Sequence, residues 1–135
     1  SKQTQAGLLA YDGDINFKWS DESQKILGSW GGLVSARDLF KTDQFFWVNG
    51  DIVSNANLKS LGKAHLRLKR KYPKIEMTLL LRKSPRTGET YREIKVDRKS
   101  HLVVGFGERT HGTLYYASSA VVEKSSLSGF PKNKP

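Results

Sequence analysis

The chain has 135 residues, with 23 Lys and Arg against 13 Asp and Glu, three Trp, no Cys and a net charge of +10. That length bounds it to one domain or a part of one, with room for a core. The composition excludes a disulfide framework and thiol-ligated metals, the apolar runs are too short for a membrane-spanning helix, and a cytoplasmic location fits.

Taken in order, residues 3–10 read as the end of a helix, and Tyr11 to Asp14 as a turn around Gly13. Ile15, Phe17 and Trp19 alternate with polar residues and predict a short strand. A polar loop then closes on Gly28, Gly31 and Gly32, and Leu33, Ala36, Leu39 and Phe40 recur at helical spacing. The glycines are therefore expected at or just before a helix start. There, free N–H groups and close backbone approach suit an anion or the edge of a base; the same glycines also serve ordinary tight turns.

Phe45 to Val48 is an apolar, β-favouring run that predicts a central strand buried on both faces. It stops at Asn49-Gly50-Asp51, which places Asp51 just past the carboxyl end of that strand. In open α/β sheets ligands bind at that edge. One carboxylate there can hold Mg²⁺ while phosphate oxygens and water complete the shell, and it can equally be a turn former or helix cap.

Leu58, Leu61, His65, Leu68 and Tyr72 fall on one helical face, ended by Pro73. His65 lies on this stripe and reads as a hydrogen-bonded core histidine. Met77 to Leu81 is a further apolar β run, and Ser84 to Glu89 a turn. Ile94 and Val96 on one side of Asp97–Ser100, and Leu102 to Phe106 on the other, predict a hairpin. Leu114 to Val122 predicts a last strand, and Ser125 to Phe130 the start of a helix. Strands alternating with helices imply parallel pairing, hence a layered α/β sheet flanked by helices.

The charge is uneven. Residues 57–100 hold fourteen of the Lys and Arg and four of the Asp and Glu, so the whole excess of +10 lies there. Such a segment is a solvated outer face or a polyanion-binding patch. No aromatics interleave with its cations, which argues against single-strand binding, and nucleic acid is not an expected partner.

Together, Trp19-Ser-Asp-Glu22, Ile26 to Leu33 with Ala36, and Phe46 to Ile52 resemble the sugar-1-phosphate nucleotidyltransferases, in particular bacterial members acting on hexose or N-acetylmuramate 1-phosphates. Leu58 to His65, Met77 to Leu81, Val96-Asp97, Val104 to Glu108 and Ala117 to Pro131 continue the likeness in order. The resemblance implies a Rossmann-like, mostly parallel sheet. It also implies transfer of a nucleotidyl group from a nucleoside triphosphate to a sugar 1-phosphate. Asp51 would hold the Mg²⁺, Glu22, Leu27, Gly28, Ser29, Gly31 and Gly32 would line the nucleotide, and Asn49 and Glu108 would meet the sugar phosphate.

The family's glycine-rich triphosphate loop and second metal-binding aspartate have no counterpart in this sequence. The chain thus reads as the middle of one domain, inactive alone, with an unpaired sheet edge that invites another copy or a chain carrying the missing segments. Trp30 stands where the family has a small residue. Two other functions stay open: a catalytically silent relative that binds sugar nucleotides or regulates a partner, and a polyanion-binding module using residues 57–100.

Overall fold

The structure, a computed structural model, describes residues 8, 10, 13–20 and 26–131. The chain divides into two compact units: residues 1–41 together with 127–135, and residues 42–126.

In the first unit, helix α1 spans Gly28–Ser35 and a 3₁₀ turn spans Arg37–Leu39. The glycines were expected at or just before a helix start: Gly28 is the first residue of the helix, while Gly31 and Gly32 lie inside it. Each interior glycine disfavours a helix by about 1 kcal/mol relative to Ala, so packing overrides propensity here. Val34 and Gly31 are buried from the helix, and Leu27 and Leu127 are buried in the same unit. Trp30 meets Phe130 edge to face at 5.7 Å, and the Arg37 guanidinium donates to the Phe130 carbonyl at 3.0 Å. Residues 15–20 form no strand, although Phe17 and Trp19 stack at 6.2 Å as alternate residues of an extended segment do. The helix expected over 3–10 falls almost wholly outside the described residues.

In the second unit, strands β1 (Gln44–Val48), β2 (Met77–Lys83) and β5 (Leu114–Glu123) form one sheet in the order β1-β5-β2. Strands β3 (Tyr91–Val96) and β4 (Val103–Thr110) form the expected hairpin. Its turn is fixed by the Asp97 carboxylate, which accepts from the Ser100 amide at 2.7 Å and hydroxyl at 2.6 Å. Those bonds hold the Asp97 carboxyl below its usual pKa. Helix α2 (Leu58–Lys71) is capped by Asn57, whose side chain accepts from the Ser60 amide at 2.9 Å. Its buried face carries Leu61 and His65, as the spacing predicts. The helix expected after Ser125 is a 3₁₀ turn, Lys124–Leu127.

The expectation of a layered, mostly parallel Rossmann-like sheet is corrected. Every strand pair among the described residues is antiparallel. β1 and β2 do point the same way, as a strand–helix–strand unit requires, but β5 lies between them and pairs with both. Alternation of strands and helices fixes relative direction, not adjacency; the most buried strand took the middle place. Ser119 to Glu123 of β5 are all buried. β1, expected to be central and covered on both faces, has one strand partner among the described residues, and Phe46 is 47% exposed.

Candidate functional site

The Asn49–Asp51 turn owes its position to an irregularity in β5. Val48 pairs with Ser119, and the Asn49 amide then donates to the Ser118 carbonyl at 3.1 Å. On the other side, Leu79 pairs with Ala120 and Leu81 with Tyr116, so residues 117–119 bulge opposite Leu80 alone. Ser118 sits at φ 57°, a left-handed backbone uncommon outside glycine. Such bulges end pairing and re-aim side chains, and they are over-represented beside active sites. Here the ladder of β1 ends at the bulge and releases the chain into the Asn49–Asp51 turn. The bulge itself is unmarked in the sequence, because Ala117-Ser118-Ser119 carries no glycine or proline.

Asp51 is exposed, three residues past the end of β1, and its carboxylate pairs with no other described residue. Among the described residues no group of three or more His, Asp or Glu could cage a metal. A lone open carboxylate suits Mg²⁺, which keeps several waters and is commonly shared between one or two carboxylates and phosphate oxygens. One exposed carboxylate is a single donor residue and does not by itself make a metal site.

Near the bulge, the Tyr116 hydroxyl and Thr113 Oγ1 are buried without a hydrogen-bond partner among the described residues. Burial pushes the Tyr116 phenol up from its usual pKa. The Tyr116 ring lies 6.0 Å from Trp47 of β1.

The glycine residues Gly28, Gly31 and Gly32, with Leu27 and Ser29, occupy the first turns of α1 or the residue before it. Gly28 is exposed at φ 69°, with open space where a Cβ would stand, and Ser29 is exposed. Leu27, the residue before the helix, supplies no side-chain cap to its start. Leu27 and Gly31 are buried. Glu22 lies outside the described residues.

Glu108 is exposed on β4, and Gly107 before it faces Glu93 so closely that a Cβ would collide with that carboxylate. A cleft of about 430 Å³ runs beside Glu93, Lys95, Arg98, His101 and Leu114, and none of the site residues expected from the sequence lines it. No helix among the described residues is long and apolar enough to cross a membrane.

The far end of β5 is built differently. His65 is fully buried; its Nε2 lies 2.7 Å from Glu123 Oε1 and its Nδ1 2.8 Å from the Thr78 hydroxyl. Lys69 Nζ reaches Glu123 Oε2 at 3.0 Å. Burial alone would raise the Glu123 carboxyl, but the bonds and charges of His65 and Lys69 outweigh it and the net shift is downward. His65 is the satisfied core histidine its sequence position implied.

No protein-family model matches the chain, and no curated protein does. In fold it is similar to HddC from Yersinia pseudotuberculosis, with a TM-score of 0.74 at 13% identity, covering 99% of this chain. It is also similar to the structure of that protein complexed with GMP-PN, with a TM-score of 0.76 at 13% identity and the same coverage. The chain spans 56% of that neighbour's length. The resemblance to sugar-1-phosphate nucleotidyltransferases is therefore corrected. Neither a family nor a curated sequence supports it, and the parallel sheet it implied is replaced by antiparallel pairs. Its motifs are short glycine, apolar and turn patterns, which unrelated chains reach for ordinary reasons of turn and strand chemistry.

Proposed function

We propose that the chain is a nucleotide-binding part of a larger protein. The observation that supports this reading is the likeness of nearly the whole chain to a structure complexed with GMP-PN. The exposed, glycine-bearing start of α1 is the element whose chemistry suits the ligand: a helix N-terminus favours negative charge, and no side-chain bulk stands over Gly28. Gly28, Ser29 and Gly32 are assigned to the nucleotide. Titration of the chain with GTP, ATP, CTP and UTP, followed by calorimetry, tests this. Saturable binding of at least one, weakened about tenfold by Gly28→Ala, is expected. No binding at millimolar nucleotide overturns the reading.

The finer part of the proposal is that the larger protein transfers a nucleotidyl group to a sugar 1-phosphate. Asp51 holds Mg²⁺ in this reading, and the ion supplies charge neutralisation at the phosphates. Asn49, held by Ser118, and Glu108 are assigned to the sugar phosphate. The chemistry needs no nucleophilic side chain, because in-line transfer at phosphorus relies on positioning and charge. In the larger protein, Asp51→Asn should lower pyrophosphate release from nucleoside triphosphate and sugar 1-phosphate by about 10²–10³. Unchanged release at ordinary Mg²⁺ removes Asp51 from the role, and absence of release with the wild type removes the reaction.

A further inference from the structure

Helix α2 reads LKSLGKAHLRLKRK and carries six cations and no acid. At 3.6 residues per turn, Lys59, Lys63, Arg67 and Arg70 fall within an arc of about 80°. That arc lies opposite Leu61 and His65, which are buried, and all four cations are exposed. Lys69 alone turns inward, to Glu123. None of the four pairs with a carboxylate among the described residues.

An ordinary solvated helix face sets acids against bases at i and i+4. Here Lys63 follows Lys59 and Arg67 follows Lys63 at that spacing, an arrangement that disfavours an isolated helix by about 0.2–0.5 kcal/mol per pair. The helix keeps it although nothing within the described structure neutralises it. An external polyanion would.

We propose that this face of α2 docks on the phosphate backbone of a double-stranded nucleic acid without reading its sequence. The stripe from Lys59 to Arg70 is about 16 Å long, close to the rise of five base pairs along a duplex axis. A single strand is the poorer fit, because no aromatic side chain lies on the stripe to stack a base and Leu66, beside it, is the only exposed large apolar residue of the helix. A bilayer surface is a poorer fit still. A membrane-bound amphipathic helix inserts its apolar face, and in α2 that face is already buried, with His65 tied to Thr78 and Glu123. The proposal is independent of the nucleotide-binding reading, since it uses none of the residues assigned there.

The test is fluorescence anisotropy of labelled 20-base-pair DNA and RNA duplexes titrated with the 135-residue chain. With four phosphate contacts, log Kd against log salt should have a slope of about 3.6, so affinity should fall about 150-fold between 50 and 200 mM salt. DNA and RNA duplexes should bind within about tenfold of each other. Lys59→Gln, Lys63→Gln, Arg67→Gln and Arg70→Gln combined should abolish the salt-dependent binding, while Arg86→Gln and Arg92→Gln combined should leave most of it. Circular dichroism melting checks that the quadruple variant folds; if it does not, Lys63→Gln alone should lower the slope by about 0.9. The proposal is overturned if the quadruple variant, or Lys63→Gln in its stead, leaves the slope unchanged. It is also overturned if vesicles of anionic lipid bind as tightly as the duplex, or if a single strand binds better.

Discussion

The two ends of β5 contrast. At Glu123 the strand ends in a closed polar cluster: one carboxylate takes His65 on one oxygen and Lys69 on the other, and Thr78 satisfies the remaining imidazole nitrogen. At Tyr116–Ser119 the same strand bulges, carries a left-handed serine and leaves the Tyr116 hydroxyl buried without a partner. A buried polar group that is fully paired holds elements in place; an irregular, under-satisfied stretch holds free energy in reserve. The first end ties α2 to β2 and β5. The second ends β1 and sets the Asn49–Asp51 turn. The closed polar cluster and the irregular stretch thus lie at opposite ends of one strand.

The largest break in that contrast should come from Glu123→Ala. It strands a buried imidazole donor and removes the charge-assisted bond to Lys69, and it should lower unfolding free energy by about 2–3 kcal/mol. The urea midpoint measures it; a loss below about 0.5 kcal/mol would show that the cluster only breaks even against its desolvation cost.

Acid sharpens the same end. The Glu123 carboxyl has a lower pKa folded than unfolded, so the unfolded chain binds the proton more readily and stability rises with pH. Its contribution is complete above the ordinary carboxylate range, near pH 4–5, and is lost as pH falls through the lowered folded value. Unfolding of wild type and Glu123→Gln followed from pH 7 to pH 2 should converge as pH falls; parallel curves would contradict the linkage.

Effects at the other end should be smaller and of opposite sign. Ser118→Gly relieves a left-handed backbone and should stabilise the fold by about 0.5–1 kcal/mol, net of the entropy glycine adds to the unfolded chain. Tyr116→Phe removes a buried hydroxyl that satisfies nothing inside the protein and should range from neutral to about 1 kcal/mol stabilising. Both are read by thermal unfolding. A clear loss of stability from either would place that residue with the closed cluster instead.

Much of this was legible in the sequence. The spacing of Leu58, Leu61 and His65 fixed the buried face of α2, because a helix repeats its contacts every three or four residues whatever it packs against. The β1 run and its stop at Asn49-Gly50-Asp51, the β3–β4 hairpin and β5 were likewise local patterns. Other features depended on distant partners. Helix α1 forms over glycines that disfavour it, in a unit where Val34, Leu27 and Leu127 are buried. Likewise, no local pattern marks Glu123 as the partner of a histidine 58 residues earlier.

The sequence by itself determined where segments alternate, which faces are apolar and where the charge collects, since these follow from side-chain period and composition. Only the tertiary structure decided that β5 enters between β1 and β2 and turns an expected parallel sheet antiparallel, and that Ser118 would be forced left-handed where the β1 ladder ends. Strand order is a choice among burial patterns of the whole chain. A bulge is the residue count left over when two ladders must share one strand, and neither is written in any single segment.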